Sequence, residues 1–219
     1  MKYEATVLRS DGRAERVYLT WDLCVAIGYA NAVPTMYWIE PERVFSLRHL
    51  SVVGEATSGG VEFFMARDEG GDLFVTLASD HTDRALETVS VSKAKQVCGK
   101  IVAPVFWKVS DIREHWDKIE ISSEIPGKIP DGQGYRVYQK GTLGDLPLPE
   151  RLEELAREDA PFTGKISLFS GTLEAIGGSV TEIVHTIAHA GEFRMSLFDP
   201  ALNRAIKFGY TVTVLPDRS

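Results

Sequence analysis

Apolar and polar positions alternate with a period of two along most of the chain, the pattern of strands with one buried face. Residues 3–8 and 16–20 alternate on either side of Ser10-Asp11-Gly12-Arg13, and Asp-Gly between two such runs signals a hairpin. A second hairpin is predicted where residues 61–66 pass through Glu69-Gly70-Gly71 into residues 73–77. Further strands are expected over residues 23–27, 35–39, 101–107, 118–122, 135–139, 165–169, 192–197 and 205–215. Helical spacing is clear only over residues 149–157, where Pro149 suits a first turn and Leu152, Leu155 and Ala156 share a face. A shorter helix is predicted over residues 109–116, with Ser110 as its cap. The chain shows no internal repeat, low-complexity tract or linker, so it reads as one α+β domain, mostly β.

Composition narrows the partners. The chain has 219 residues, 44% of them apolar, enough for a substantial core. A net charge of −7, with no basic cluster denser than Lys93-Ala94-Lys95 or Arg48-His49, argues against nucleic acid, because tracking a phosphate backbone takes several cations on one face. Cys24 and Cys98 are too few and too far apart for a disulfide framework or a zinc ribbon. With no signal-peptide pattern, they are expected to be free thiols in a reducing, cytoplasmic setting. No apolar run approaches the roughly 18 residues of a membrane span, so no membrane partner is expected.

The chemistry concentrates in a few short stretches. Ser79-Asp80-His81-Thr82-Asp83-Arg84 follows the second strand of the second hairpin and gathers two acids, a histidine and an arginine. A helix cap with a solvated first turn explains it at the simplest level. A site at a strand end is the other explanation, because a hairpin can bring Glu62 beside Asp80, and gathered carboxylates suit Mg²⁺ or Mn²⁺. The stretch Phe169 to Gly178 carries three glycines after a strand but matches no nucleotide loop. His185 and His189 stand four apart, yet Thr186 replaces the glutamate of a zinc-protease motif and no further His or Cys ligand follows. Lys95 and Gln139 offer donors for a carboxylate.

The order of these stretches is the stronger signal. The Asp80 motif, then Ser92-Lys93-Ala94-Lys95-Gln96-Val97-Cys98, then Val137-Tyr138-Gln139-Lys140-Gly141-Thr142, then Ser170-Gly171-Thr172 with Ala175-Ile176-Gly177-Gly178, resembles a bacterial domain family of unknown function, itself similar to the fumarylacetoacetate hydrolase superfamily. The resemblance runs from about residue 57 to 215. It implies a mixed, mostly β roll, commonly dimeric, that binds Mg²⁺ or Mn²⁺ through an E-x-E pair and a later aspartate and acts on 2-oxo acids such as acylpyruvates. It divides the chain into an N-terminal β segment over residues 1–50 and a hydrolase-like core over residues 51–219.

Carried over by resemblance, Asp80 corresponds to the metal aspartate of a D-x-x-x-R pattern completed by Arg84, and Glu62 to the second glutamate of E-x-E. Gly60 stands where the first glutamate would be, so Glu55, His81 or a water completes the coordination, or binding is weaker. Lys95 is similar to the superfamily's substrate-binding lysine, Gln139 to its glutamine after a strand, and Thr172 to the threonine of its glycine turn, although Leu173 replaces the proline there. The H-x-x-E lid expected after Cys24 to Ala30 is missing, since Asn31-Ala32-Val33-Pro34 runs on into the next strand.

The expected protein is therefore a homodimeric, divalent-metal-dependent hydrolase or decarboxylase that cleaves a C–C bond in a small 2-oxo acid. Glu62 and Asp80 hold the metal, Arg84, Gln139 and Thr172 bind substrate, and Lys95 and His81 take catalytic roles, with a lost lid residue as the other candidate base. A non-catalytic ligand-binding protein on the same fold is the alternative. If Asp80 is a metal ligand, Asp80→Ala should abolish Mg²⁺ or Mn²⁺ binding and leave the metal-free fold intact, or strengthen it by relieving carboxylate repulsion. If Asp80 is a helix cap, the change should cost about 1 kcal/mol and alter nothing about ligands.

Overall fold

A computed structural model describes residues 1–30, 33–129, 132–159, 162–176 and 189–218. Strands dominate it. The first hairpin forms as the alternation predicts, Lys2–Leu8 pairing with Ala14–Thr20, and Gly12 makes the turn at φ 82°, where a side chain would be strained. The second hairpin joins Glu62–Asp68 to Leu73–Ser79. Its first strand also pairs with Ala14–Thr20, its second with Val105–Lys108, and Val105–Lys108 lies parallel to Lys2–Leu8. These five strands close on themselves, which leaves no free edge among them.

Alternate residues point into the ring. Ala5, Val7, Leu19, Phe64, Phe74 and Phe106 fill it with Trp21, whose ring meets Phe64 edge-on at 5.5 Å. The same sheet continues outward through Ile166–Phe169, Leu23–Ala30 and Val33–Ile39 on one side and through Lys100–Val102 and Val44–Phe45 on the other. A second sheet, ordered Gly132–Thr142, Glu120–Ile129, Glu192–Asp199, Arg204–Leu215, His49–Val53, buries Ile121, Phe193, Leu197, Phe208 and Tyr210 against the outward residues Phe63, Met65, Val75 and Leu77.

Several elements depart from the periodic reading. The strand expected over 101–107 is two, Lys100–Val102 and Val105–Lys108, broken at Ala103-Pro104, where proline lacks the N–H a ladder needs. The helix expected over 109–116 is a pair of tight turns, Val109–Asp111 and Arg113–Lys118, with His115 outside helical geometry at φ −133°. Two short helices, Arg84–Glu87 and Val91–Val97, and the strand His49–Val53 had no clear periodic signal. The helix over 149–157 forms as Pro149–Asp159 and buries Leu152 and Ala156. Cys24 and Cys98 are both free and buried. Among the described residues no helix is long and apolar enough to cross a membrane.

Candidate active site

The hairpin register brings the two predicted carboxylates to one face. Glu62 pairs with Ala78, and Asp80 lies two residues further on, so both share the parity of the ring-filling Phe64 and Phe74. Val102 also pairs with Ala78, which gives Lys100 the same parity from the neighbouring strand. Lys95 arrives from the last turn of the helix Val91–Val97, which is capped by Ser90. All four side chains are buried.

Both ammoniums lie on Asp80. Lys95 Nζ donates to Asp80 Oδ2, Lys100 Nζ lies 2.9 Å from Asp80 Oδ1, and Lys100 also donates to the carbonyl of His81. Burial opposes ionisation of Asp80, but the ammoniums of Lys100 and Lys95 outweigh it and hold its carboxyl well below the usual range. Lys95 is held above its ordinary value, because Asp80 and Glu62 overcome its desolvation, whereas burial pulls Lys100 below its own. Among the described residues no ammonium is bonded to Glu62. Burial and the nearby Asp80 charge push it up to about 8, and its Oε2 accepts from the Gly171 amide at 3.0 Å.

Gln139 and Thr172 meet beside Gly60. The Gln139 amide is fully engaged: its Oε1 accepts from the Val61 amide at 2.7 Å and from Ser123 Oγ at 2.9 Å, while its Nε2 donates to Thr172 Oγ1 at 2.6 Å and to the Leu173 carbonyl. A Cβ on Gly60 would lie 2.5 Å from Thr172 Oγ1 and 3.1 Å from Gln139 Oε1. The space beside Gly60 is therefore filled by a glutamine and a threonine. Ser79 Oγ accepts from the Gly60 amide, and Ser170 Oγ from that of Phe63.

The other residues of the Asp80 motif divide between two tasks. His81 follows Asp80 in an extended segment and points the opposite way. Its Nδ1 lies 3.0 Å from the Tyr210 hydroxyl and its Nε2 3.0 Å from Thr57 Oγ1, and burial pulls it down to about 3. The ring is thus a neutral link in a buried chain that continues from Tyr210 to Ser79, rather than a member of the carboxylate cluster. Asp83, not Asp80, is the helix cap, accepting from the Leu86 amide at 2.9 Å. Arg84 donates to Ser58 Oγ and to Glu87. Glu55 is exposed. His189 Nδ1 approaches the Thr57 carbonyl at 3.2 Å, while His185, Gly177 and Gly178 lie outside the described residues. The strands Leu23–Ala30 and Val33–Ile39 pair up to Ala30↔Val33; residues 31 and 32, where the lid was expected, are also outside that set.

Sequence reasoning missed Lys100. A lysine at a strand start reads as solvated, and the only hint is that Ile101-Val102-Ala103 follow it without a polar break. The donor set suits a divalent ion in its minimal form: Glu62, at the start of one hairpin strand, and Asp80, just past the end of the other, are hard oxygen donors, and Mg²⁺ commonly takes one or two carboxylates from a protein and fills its sphere with water or substrate oxygen. Among the described residues, no third His, Cys, Asp or Glu joins them.

The model of a family described as "Protein of unknown function (DUF2848)" matches residues 22–210. No curated protein matches the sequence. Among solved structures, Cg1458 is similar at 16% identity and a TM-score of 0.62, over 92% of this chain and 80% of that one. The apo form of 2-keto-3-deoxy-D-arabinonate dehydratase is similar at 16% identity and a TM-score of 0.60, over 90% and 74%. The same dehydratase complexed with magnesium and 2,5-dioxopentanoate aligns at 15% identity and a TM-score of 0.59, over 90% and 74%. At such identities the likeness establishes a shared fold.

Proposed function

From its membership of the DUF2848 family, to which the match over residues 22–210 assigns the chain, we propose that this protein is a divalent-metal-dependent enzyme of the fumarylacetoacetate hydrolase type. Its substrate is a small 2-oxo acid, and its reaction breaks a C–C bond beside the ketone by hydrolysis or decarboxylation. The observation that carries this reading is the buried Glu62–Asp80 pair with two lysines on Asp80. Its support from fold is that a similar solved structure holds magnesium with 2,5-dioxopentanoate, itself a 2-oxo acid.

Glu62 and Asp80 are the proposed ion holders, and the ion they hold would polarise the ketone and stabilise the enolate that develops as the adjacent bond breaks. Lys100 keeps the Asp80 carboxylate ionised and fixed in direction. Gln139 is a positioning residue in this scheme, because its four hydrogen bonds tie the Val61 amide to the Thr172–Leu173 turn. Thr172 Oγ1 accepts from Gln139, donates to the Val61 carbonyl at 3.3 Å and lies beside Gly60, so it would donate to a substrate carboxylate only by turning its proton away from that carbonyl. His81 is not the base in this scheme, because its two ring nitrogens serve Thr57 and Tyr210.

The test is turnover of acylpyruvates and oxaloacetate with Mg²⁺ or Mn²⁺, compared between the parent and Asp80→Asn. Metal-dependent turnover lost in the variant is the expected result. Failure of the folded parent to act on any 2-oxo acid with either ion would leave the binding-protein alternative in place.

A further inference from the structure

Asp80 already carries two cations, and they are held differently. Lys100 is fully buried, and its bond to the His81 carbonyl anchors it to the backbone whatever happens at the carboxylate. Lys95 sits at the helix end with its side chain 8% exposed, and Asp80 is the hydrogen-bond partner of its ammonium. Lys95 Nζ already lies over the Tyr37 ring, 5.5 Å from its centroid, a cation–π contact that can tighten if the ammonium leaves Asp80.

A divalent ion entering between Glu62 and Asp80 needs an Asp80 oxygen, and Oδ2 is the one that Lys95 occupies. A dication and an ammonium cannot share one oxygen in a buried site, where like charges at contact repel strongly. We propose that Lys95 is a tethered competitor for the ion: its ammonium holds the place of the metal on Asp80 and moves off toward Tyr37 when the metal binds, while Lys100 stays. Without an ion both ammoniums lie on Asp80, Lys95 on Oδ2 and Lys100 on Oδ1, so the site holds one cation more than that carboxylate needs. The competitor role rests on the proposed reading of Glu62 and Asp80 as ion holders and adds to it that metal affinity is set against an internal cation.

Mn²⁺ binding measured by calorimetry on the parent, Lys95→Met and Lys95→Gln tests the idea, together with mass-spectrometric reading of lysine modification by an amine reagent with and without Mn²⁺. The expected result is binding at least tenfold tighter in both variants. In the parent, Mn²⁺ should also speed modification of Lys95 and leave Lys100 protected. Equal or weaker affinity in the variants, with binding retained in the parent, overturns the competitor role and leaves the ion-holding reading standing. Tighter binding without any gain in Lys95 modification reduces the effect to general charge repulsion and overturns displacement. If neither the parent nor either variant takes up Mn²⁺ although thermal unfolding shows all three folded, the ion-holding reading fails and the competitor role falls with it.

Discussion

Asp80 and Asp83 stand three residues apart in one motif and perform unrelated tasks, which makes them a matched pair for mutation. Asp83 caps the helix Arg84–Glu87, so Asp83→Ala should cost about 1 kcal/mol of stability and leave ion affinity unchanged. Asp80→Asn leaves the buried ammoniums of Lys95 and Lys100 without their carboxylate, and breaking a buried pair in this way costs about 3–5 kcal/mol. The expectation from sequence, that removing Asp80 spares or strengthens the metal-free fold, counted only its repulsion with Glu62. The two lysines reverse the sign. Urea denaturation of both variants without metal checks the difference, and an Asp80→Asn protein as stable as the parent would mean that the lysines are not paired as described. Asp80, Glu62, Gln139 and Thr172 were legible because their types recur in a recognisable order. Lys100 was not, because its partner lies twenty positions back and only the hairpin register brings it near.

At the scale of elements, alternation located most strands, and the failures have local causes. Pro104 ends one strand and lets the next begin, and the turns over 109–118 are held by their burial of Ile112 and Trp116 rather than by helical spacing. The helix Val91–Val97, which carries Lys95, is seven residues long, too short for periodicity to mark, and depends on its Ser90 cap. The turn after Glu192–Asp199 shows what a single terminal carboxylate can organise. Asp199 accepts from the Ala201 and Leu202 amides and faces His115 and Arg204. Burial opposes its ionisation, but these donors prevail and hold it below its ordinary value. A depressed carboxyl stabilises the fold above its unfolded value of 3.8, and that contribution is lost as pH falls through the lower folded value. Asp199→Asn should therefore cost about 2 kcal/mol at pH 7 and progressively less below pH 3.8. Denaturation midpoints of parent and variant at pH 7 and in strong acid measure this, and a gap that stays constant would show that charge plays no part.

Over the whole molecule, the strand ring removes five strands from the edge problem, and the second sheet restores it. The strand Gly132–Thr142 runs eleven residues along the outside of that sheet, and no described strand pairs with its outer edge. Val137, near its middle, is 42% exposed. A long open edge with an apolar residue on it invites pairing with another chain unless charge or proline blunts it. Nothing in the alternation of a strand tells an edge from a centre, so this feature became visible only with the sheet order. A second copy of the chain is the predicted cover, because two-fold pairing of one edge with itself would close both at once. Light scattering at micromolar concentration should return twice the 24.2 kDa of one chain, and Val137→Lys, a charge of the kind that blunts natural edges, should shift the protein toward monomer without unfolding it. A parent that is monomeric removes the homodimer. A variant that stays dimeric while the parent is dimeric moves the interface to another surface, and the second copy would then have to be sought along the shorter outer strands Val33–Ile39 and His49–Val53.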